Sequence, residues 1–177
     1  MHKRLWGATR DRSALDEGIG AYERGFYMKR DHYTGINYVF MLNERATQQT
    51  DPEEATADRL IARRVARQLL TIVETEIDAM PRDETGALQQ NPKYWCEATR
   101  VKALCVLDDP RFAEARDALY ASAPEPWMKQ ATKDQLAACD RQKAAAGPGR
   151  SPRIGAASRG RSLRLQHEHA VGGSSMR

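Results

Sequence analysis

The stretch LDEGIGAYERGFYMKRDHYTGINYVF, from Leu15 to Phe40, constrains the fold of this chain more than any other. Gly18, Tyr22 and Gly25 put small, aromatic and small residues at the four- and three-residue steps of one helix face. After a short polar turn, Tyr33, Ile36, Asn37 and Phe40 open a second helix with aromatic, apolar and compact residues at the same steps. Small residues let two helices approach to within about 8–10 Å, and each aromatic ring fills the space left by its neighbour's small residue. Gly18, Gly20 and Gly25 each cost roughly 1 kcal/mol relative to alanine inside a helix, a cost that close packing must offset. Helix pairs of this kind stack into scaffolds, and scaffolds bind rather than catalyse.

The rest of the chain continues the pattern. Residues 1–10 read as the end of a helix anchored by Leu5 and Trp6, too short for a complete first helix. Ser13 and Asp16 match a capping box ahead of a helix from Ala14 to about Tyr27, striped by Leu15, Ile19, Tyr22 and Phe26. The next helix runs from Tyr33 to Arg45 and breaks in the polar segment Thr47–Thr50. Asp51-Pro52-Glu53-Glu54 is a strong helix start, with an N-cap, proline in the first turn and acids at the positive helix end. The apolar stripe that follows, from Ala55 to Ile77, predicts a helix of roughly 40 Å ending near Met80. Residues 81–91 read as a loop. Tyr94, Trp95, Ala98, Thr99, Ala103 and Val106 mark one further helix and Phe112, Ala115, Leu119 and Ala123 another, with a turn at Asp108-Asp109-Pro110 between them. Pro124 and Pro126 stop the latter. Trp127, Met128, Leu136 and Cys139 then stripe a final helix whose polar outer face suits a cap on a helical stack.

The run AYERGF…DHYTGIN resembles the A-Y-x-x-G-F…D-Y-Y-x-G-I-N signature of a tetratricopeptide-like domain of bacterial proteins, which also forms the TRAF-binding region of mitogen-activated protein kinase kinase kinases. The residues that carry the resemblance are Ala21, Tyr22, Gly25, Phe26, Asp31, Tyr33, Gly35, Ile36 and Asn37, with Tyr94-Trp95, Ala98-Thr99 and Pro126-Trp127-Met128 as flanking matches. His32 stands where that family usually has tyrosine, and the short first helix makes the chain look like a fragment of a longer array. The resemblance implies a regulatory, protein-binding platform without chemistry of its own.

Composition narrows the partners. No run of 18 apolar residues is present, and MHKRLWGATRDR lacks the apolar core of a secretory signal. The formal net charge of +4 is misleading, because residues 146–177 carry six arginines against Glu168, leaving −1 for residues 1–145. From Ala146 the composition turns to Gly, Ser, Pro and Arg without periodicity, which predicts a disordered tail. Those arginines are the basis of a rival reading, nucleic-acid or acidic-partner binding through the tail, but no aromatic residue interleaves them for base stacking. The three cysteines form no C-x-x-C pair, and Cys96 and Cys105 lie roughly 13 Å apart along one helix, beyond disulfide reach. Free thiols and a cytoplasmic setting are expected.

Few residues suggest chemistry. Asp31-His32-Tyr33 has acid and base groups, but consecutive residues on a turn diverge and no nucleophile accompanies them. A helical enzyme, the third reading, would need a His, Asp or Glu cluster at metal spacing, and residues 1–145 offer only His2 and His32 as histidines. His167-Glu168-His169 has the look of a ligand set but no further ligand close by. Asn37 is expected to hydrogen-bond a neighbouring backbone carbonyl or turn, with a ligand contact as the alternative. Arg59, Arg63, Arg64 and Arg67 form a band on the long helix with no acid beside Arg63 and Arg67, suited to an acidic partner or a solvated face.

The reading that results is an all-α, antiparallel helix-pair α-solenoid of tetratricopeptide type over residues 1–145, with a C-terminal capping helix and a disordered tail over 146–177. Its expected role is a non-catalytic scaffold for a protein or peptide partner in a signalling or conflict-response system, with no cofactor and no metal. Thr34, Tyr38 and Met41 are expected to face the concave groove, with Arg63 and Arg67 at its rim.

Overall fold

The computed structural model describes residues 2–9, 11–82 and 90–146, and in the first helix the side chains from Trp6 onward. From residue 147 on, the expected tail therefore lies outside the described residues. Seven helices are present among them: α1 (His2–Thr9), α2 (Arg12–Lys29), α3 (His32–Gln48), α4 (Pro52–Asp78), α5 (Gln90–Leu107), α6 (Phe112–Ala121) and α7 (Pro126–Ala145). Beyond a lone bridge residue at Arg82 there is no strand among the described residues.

The helix starts follow local chemistry. Asp51 caps α4 by accepting from the Glu53 N–H at 2.8 Å, with Pro52 in the first turn, and the 27-residue helix is about 40 Å long. Asp31 caps α3, accepting from the Thr34 N–H at 2.7 Å and from its hydroxyl at 3.0 Å. The cap of α2 departs from expectation: Asp11, not Ser13, fills it, accepting from the Ser13 N–H at 3.0 Å. A carboxylate is the stronger acceptor at a positive helix end, while Asp16 turns instead to Arg12 and Arg45. Arg30 and Asp108 end α2 and α5 in the left-handed region, at φ 55° and 56°.

Consecutive helices pack on one another from α1 through α6, and α3 also meets α5. The larger core joins α2, α3 and α4 through Leu15, Phe26, Met41, Leu42, Val65 and Leu69, all at most 1% exposed. Its tightest point is Gly35, where a β-carbon would lie 2.6 Å from Leu69 Cδ2 and 2.8 Å from Phe26 Cδ2. Only a hydrogen fits there. Gly25 is close to α3 as well, but its nearest neighbour is the Thr34 methyl at 3.1 Å. A second core holds Tyr94, Ala98, Val101 and Cys105 of α5 against Leu119, Met128, Leu136 and Cys139.

The final helix does more than cap. Met128, Thr132, Leu136 and Cys139 are buried on one stripe, whereas Trp127, expected on that stripe, is exposed and lies 6.0 Å from the Trp95 ring centroid. The helix packs on α5 and reaches back to α3. Its Gln142 amide donates to Glu44 Oε1 at 2.7 Å, and Gln135 accepts from Lys102 Nζ at 2.8 Å. Consequently α7 lies across α3 and α5.

Candidate functional site

Because α7 crosses the two neighbouring helices without filling the space between them, a cavity of about 780 Å³ remains. Its walls come from α3 (Tyr33, Ile36, Asn37, Phe40), the last turn of α4 and the segment after it (Glu76, Met80), α5 (Trp95, Cys96, Thr99, Lys102) and α7 (Gln135, Cys139, Gln142). Apolar walls with a few convergent polar groups are the usual make-up of a recognition pocket. Asn37, 7% exposed, donates from Nδ2 to the Tyr33 carbonyl at 2.8 Å, the helix-backbone contact expected of it.

The polar end of the cavity gathers three helices. His32 begins α3, Glu76 stands near the end of α4, and Cys96 lies in the first half of α5. Glu76 Oε1 accepts the His32 backbone N–H at 3.0 Å, and Glu76 Oε2 pairs with the His32 ring at Nδ1. The Cys96 thiol donates to the same Oε2 at 3.6 Å and lies 3.7 Å from His32 Nδ1. Burial, then the neighbouring Glu76 carboxylate, push the Cys96 thiol up to about 12, so it holds its proton. One imidazole, one carboxylate and one thiol thus converge, the residue types from which a metal or ligand centre is built.

The residues expected to face the groove do not line this cavity. Tyr38 is 2% exposed and donates to Glu23 Oε1 at 2.9 Å, toward α2; burial and that hydrogen bond raise its pKa. Met41 is fully buried in the larger core. Thr34 sits against Gly25 of α2 and is held by Asp31. Around α3, Tyr33, Ile36, Asn37 and Phe40 line the cavity, while Thr34, Tyr38 and Met41 turn to α2 and the core.

Arg63 is engaged within the fold. Its guanidinium donates to the carbonyls of Val106 and Leu107 and to Asp108 Oδ2, each at 2.9 Å. Lys143 of α7 reaches Asp108 Oδ1 at 2.6 Å and the Cys105 carbonyl at 3.2 Å. Two cations from different helices thus close the negative end of α5. Burial would raise the Asp108 carboxyl, but hydrogen bonds from Lys143 and Arg63 outweigh it and leave the pKa lowered. Arg67 is exposed, away from the cavity, and Arg59 donates to the Ala46 carbonyl at 3.3 Å. No sequence signal marked Glu76, Cys96 or Gln142 as neighbours of α3, because they follow His32 by 44 and 64 residues and Phe40 by 102.

The successive packed helices are consistent with a tetratricopeptide-like helical repeat. A family model described as Tetratricopeptide Repeats-Sensor matches residues 1–42, the segment from α1 into α3. Neither curated proteins nor solved structures supply a match. No described helix is long and apolar enough to cross a membrane.

Proposed function

We propose that this chain is a non-catalytic recognition module of the solenoid kind, in which the cavity beneath α7 receives apolar side chains of a protein or peptide partner. The observation that carries the reading is the cavity itself: about 780 Å³, walled by Ile36, Phe40, Met80 and Trp95. Tyr33, 61% exposed, stands at its mouth. Its size accommodates a few side chains rather than a whole element, so a short segment with one or two large anchors is the fitting partner. The matched family's description names a sensor; here the sensing is partner recognition within a signalling or conflict-response system. Kinship with the TRAF-binding region of the kinase kinase kinases rests on the AYERGF…DHYTGIN motif and belongs to the same proposal. Residues 1–145 form the recognition domain, and 146–177 a separate basic tail.

Peptide display against the full chain, followed by calorimetry on the selected peptides, tests this. Anchors in such pockets carry about 2 kcal/mol or more. Tyr33→Ala with Phe40→Ala is therefore expected to weaken selected peptides by about 30-fold, while Arg64→Ala with Arg67→Ala, on an exposed surface away from the cavity, leaves them within about twofold. Peptides indifferent to the first pair of changes and sensitive to the second would place recognition on the arginine band and refute the reading.

A further inference from the structure

We propose that His32 Nδ1, a Glu76 carboxylate oxygen and Cys96 Sγ form a three-ligand site for a divalent ion of the zinc class, with its fourth position open to the cavity. The ligand-bearing atoms lie within 4.8 Å of one another and come from three rigid helices. Tetrahedral zinc bonds of about 2.3 Å to sulfur and about 2.0–2.1 Å to nitrogen or oxygen require sulfur to stand about 3.5 Å from each of the other ligand atoms. The observed separations are 3.7 Å from Cys96 Sγ to His32 Nδ1 and 3.6 Å from Cys96 Sγ to Glu76 Oε2. Two sides of the ligand triangle therefore already have the required length. The third, between His32 and Glu76, is closed by their hydrogen bond and must open to about 3.3 Å. Glu76, 28% exposed and in the last turn of α4, has room to move.

The donor set selects the ion. Thiolate and imidazole favour zinc over magnesium or calcium, which demand oxygen ligands. Glu76 Oε1 is held by the His32 backbone N–H, an outer contact of the kind that orients a ligating carboxylate. On binding, the Cys96 thiol proton passes to solvent and the thiolate bonds to the ion. The imidazole coordinates through Nδ1 with its proton on Nε2, and water fills the position facing the cavity. Because the three ligands are brought together only by folding, the ion binds the folded chain and raises its melting temperature. The site is independent of the peptide reading: it stands or falls on the ligand triangle, whatever the cavity receives.

The test uses the full, reduced, metal-stripped chain, titrated with Zn²⁺ by calorimetry and with Co²⁺ by absorption. About one equivalent of Zn²⁺ is expected to bind, and Co²⁺ is expected to develop a thiolate-to-metal charge-transfer band. Removing even an outer-shell partner weakens metal sites about 10- to 100-fold. Cys96→Ser and His32→Ala are therefore each expected to lower Zn²⁺ affinity by about 100-fold, and Cys96→Ser to abolish the band. The chain has three cysteines, so the Cys105→Ser, Cys139→Ser double variant leaves Cys96 as the sole thiol and should keep the band; it serves if Cys96→Ser does not fold. A band that follows Cys105 and Cys139, or Zn²⁺ binding lost with His167→Ala and His169→Ala but kept in Cys96→Ser, overturns the proposal. So does the absence of any band from the double variant.

Discussion

Gly35→Ala should destabilise the protein even though alanine is the better helix former. The added methyl would sit 2.6 Å from Leu69 Cδ2 and 2.8 and 2.9 Å from Phe26 Cδ2 and Cε2. Carbon atoms in contact settle at about 3.5–4.0 Å, so each of three contacts is short by roughly 0.6 Å or more. Neither neighbour can yield into solvent, since Phe26 and Leu69 are both fully buried. Overpacking of a tight core costs about 1–3 kcal/mol, and three simultaneous clashes place this site near the upper figure. Helix propensity returns up to about 1 kcal/mol, leaving a net loss of about 2 kcal/mol. For a chain of this size that corresponds to a fall in melting temperature of about 4–8 °C. Gly20→Ala is the matched control: its β-carbon meets only the mobile Arg24 Nη1, at 3.3 Å, so it gains propensity without a clash and should melt up to about 4 °C higher. Thermal melts followed by circular dichroism, with urea midpoints beside them, measure both. If Gly35→Ala melts at or above the wild type, α2, α3 and α4 do not meet at Gly35 and the packing argument fails.

Asp58 is 2% exposed and receives two hydrogen bonds from Arg45, at 2.7 and 3.0 Å. Breaking a buried pair costs about 3–5 kcal/mol, but Arg45 is one-quarter exposed and keeps Asp16 at 3.1 Å. Asp58→Ala is therefore expected to lose about 2–3 kcal/mol in urea unfolding, and a loss under about 1 kcal/mol would show that the pair contributes little. The Cys96 thiol, raised from 9.0 to about 12 by burial and then by Glu76, keeps its proton in the folded state after the unfolded chain has lost it. Its stabilisation is therefore complete below pH 9 and lost as the pH rises from 9 toward 12. In chelator-treated buffer the melting temperature of the wild type should fall more steeply over that range than that of Cys96→Ala; parallel profiles would refute the burial argument.

Helix identity was legible along the chain because its causes are local. Apolar residues at three- and four-residue steps, Asp51-Pro52 as a start and Asp108-Asp109-Pro110 as a turn predict α3 to α6 to within a few residues of their observed ends. The phase of α3 was less accessible. Aromatic, small and apolar residues occur all round that helix, with Gly35, Ile36, Asn37, Tyr38 and Val39 consecutively buried. A helix enclosed on nearly every side carries little amphipathic contrast, so its stripe does not say which edge faces α2 and which the cavity. Arg63 has no acid beside it in the sequence, and its partner Asp108 is 45 residues away.

Sequence settles here what neighbouring residues negotiate among themselves: that the described residues are helical, where helices begin and stop, and that Gly25 marks a close approach. The encounters between distant residues were left to packing. Cys105 and Cys139, with sulfurs 2.9 Å apart, stand 34 residues apart in the chain; His32, Glu76 and Cys96 meet across three helices; Gln142 of α7 bridges back to α3. Each depends on the angle at which rigid rods cross, which sums many small side-chain contacts and has no counterpart in any short window of sequence. The path of α7 is the clearest case. Its buried stripe shows that it docks, but the space remaining between α3 and α5 is what makes that docking the lid of a pocket.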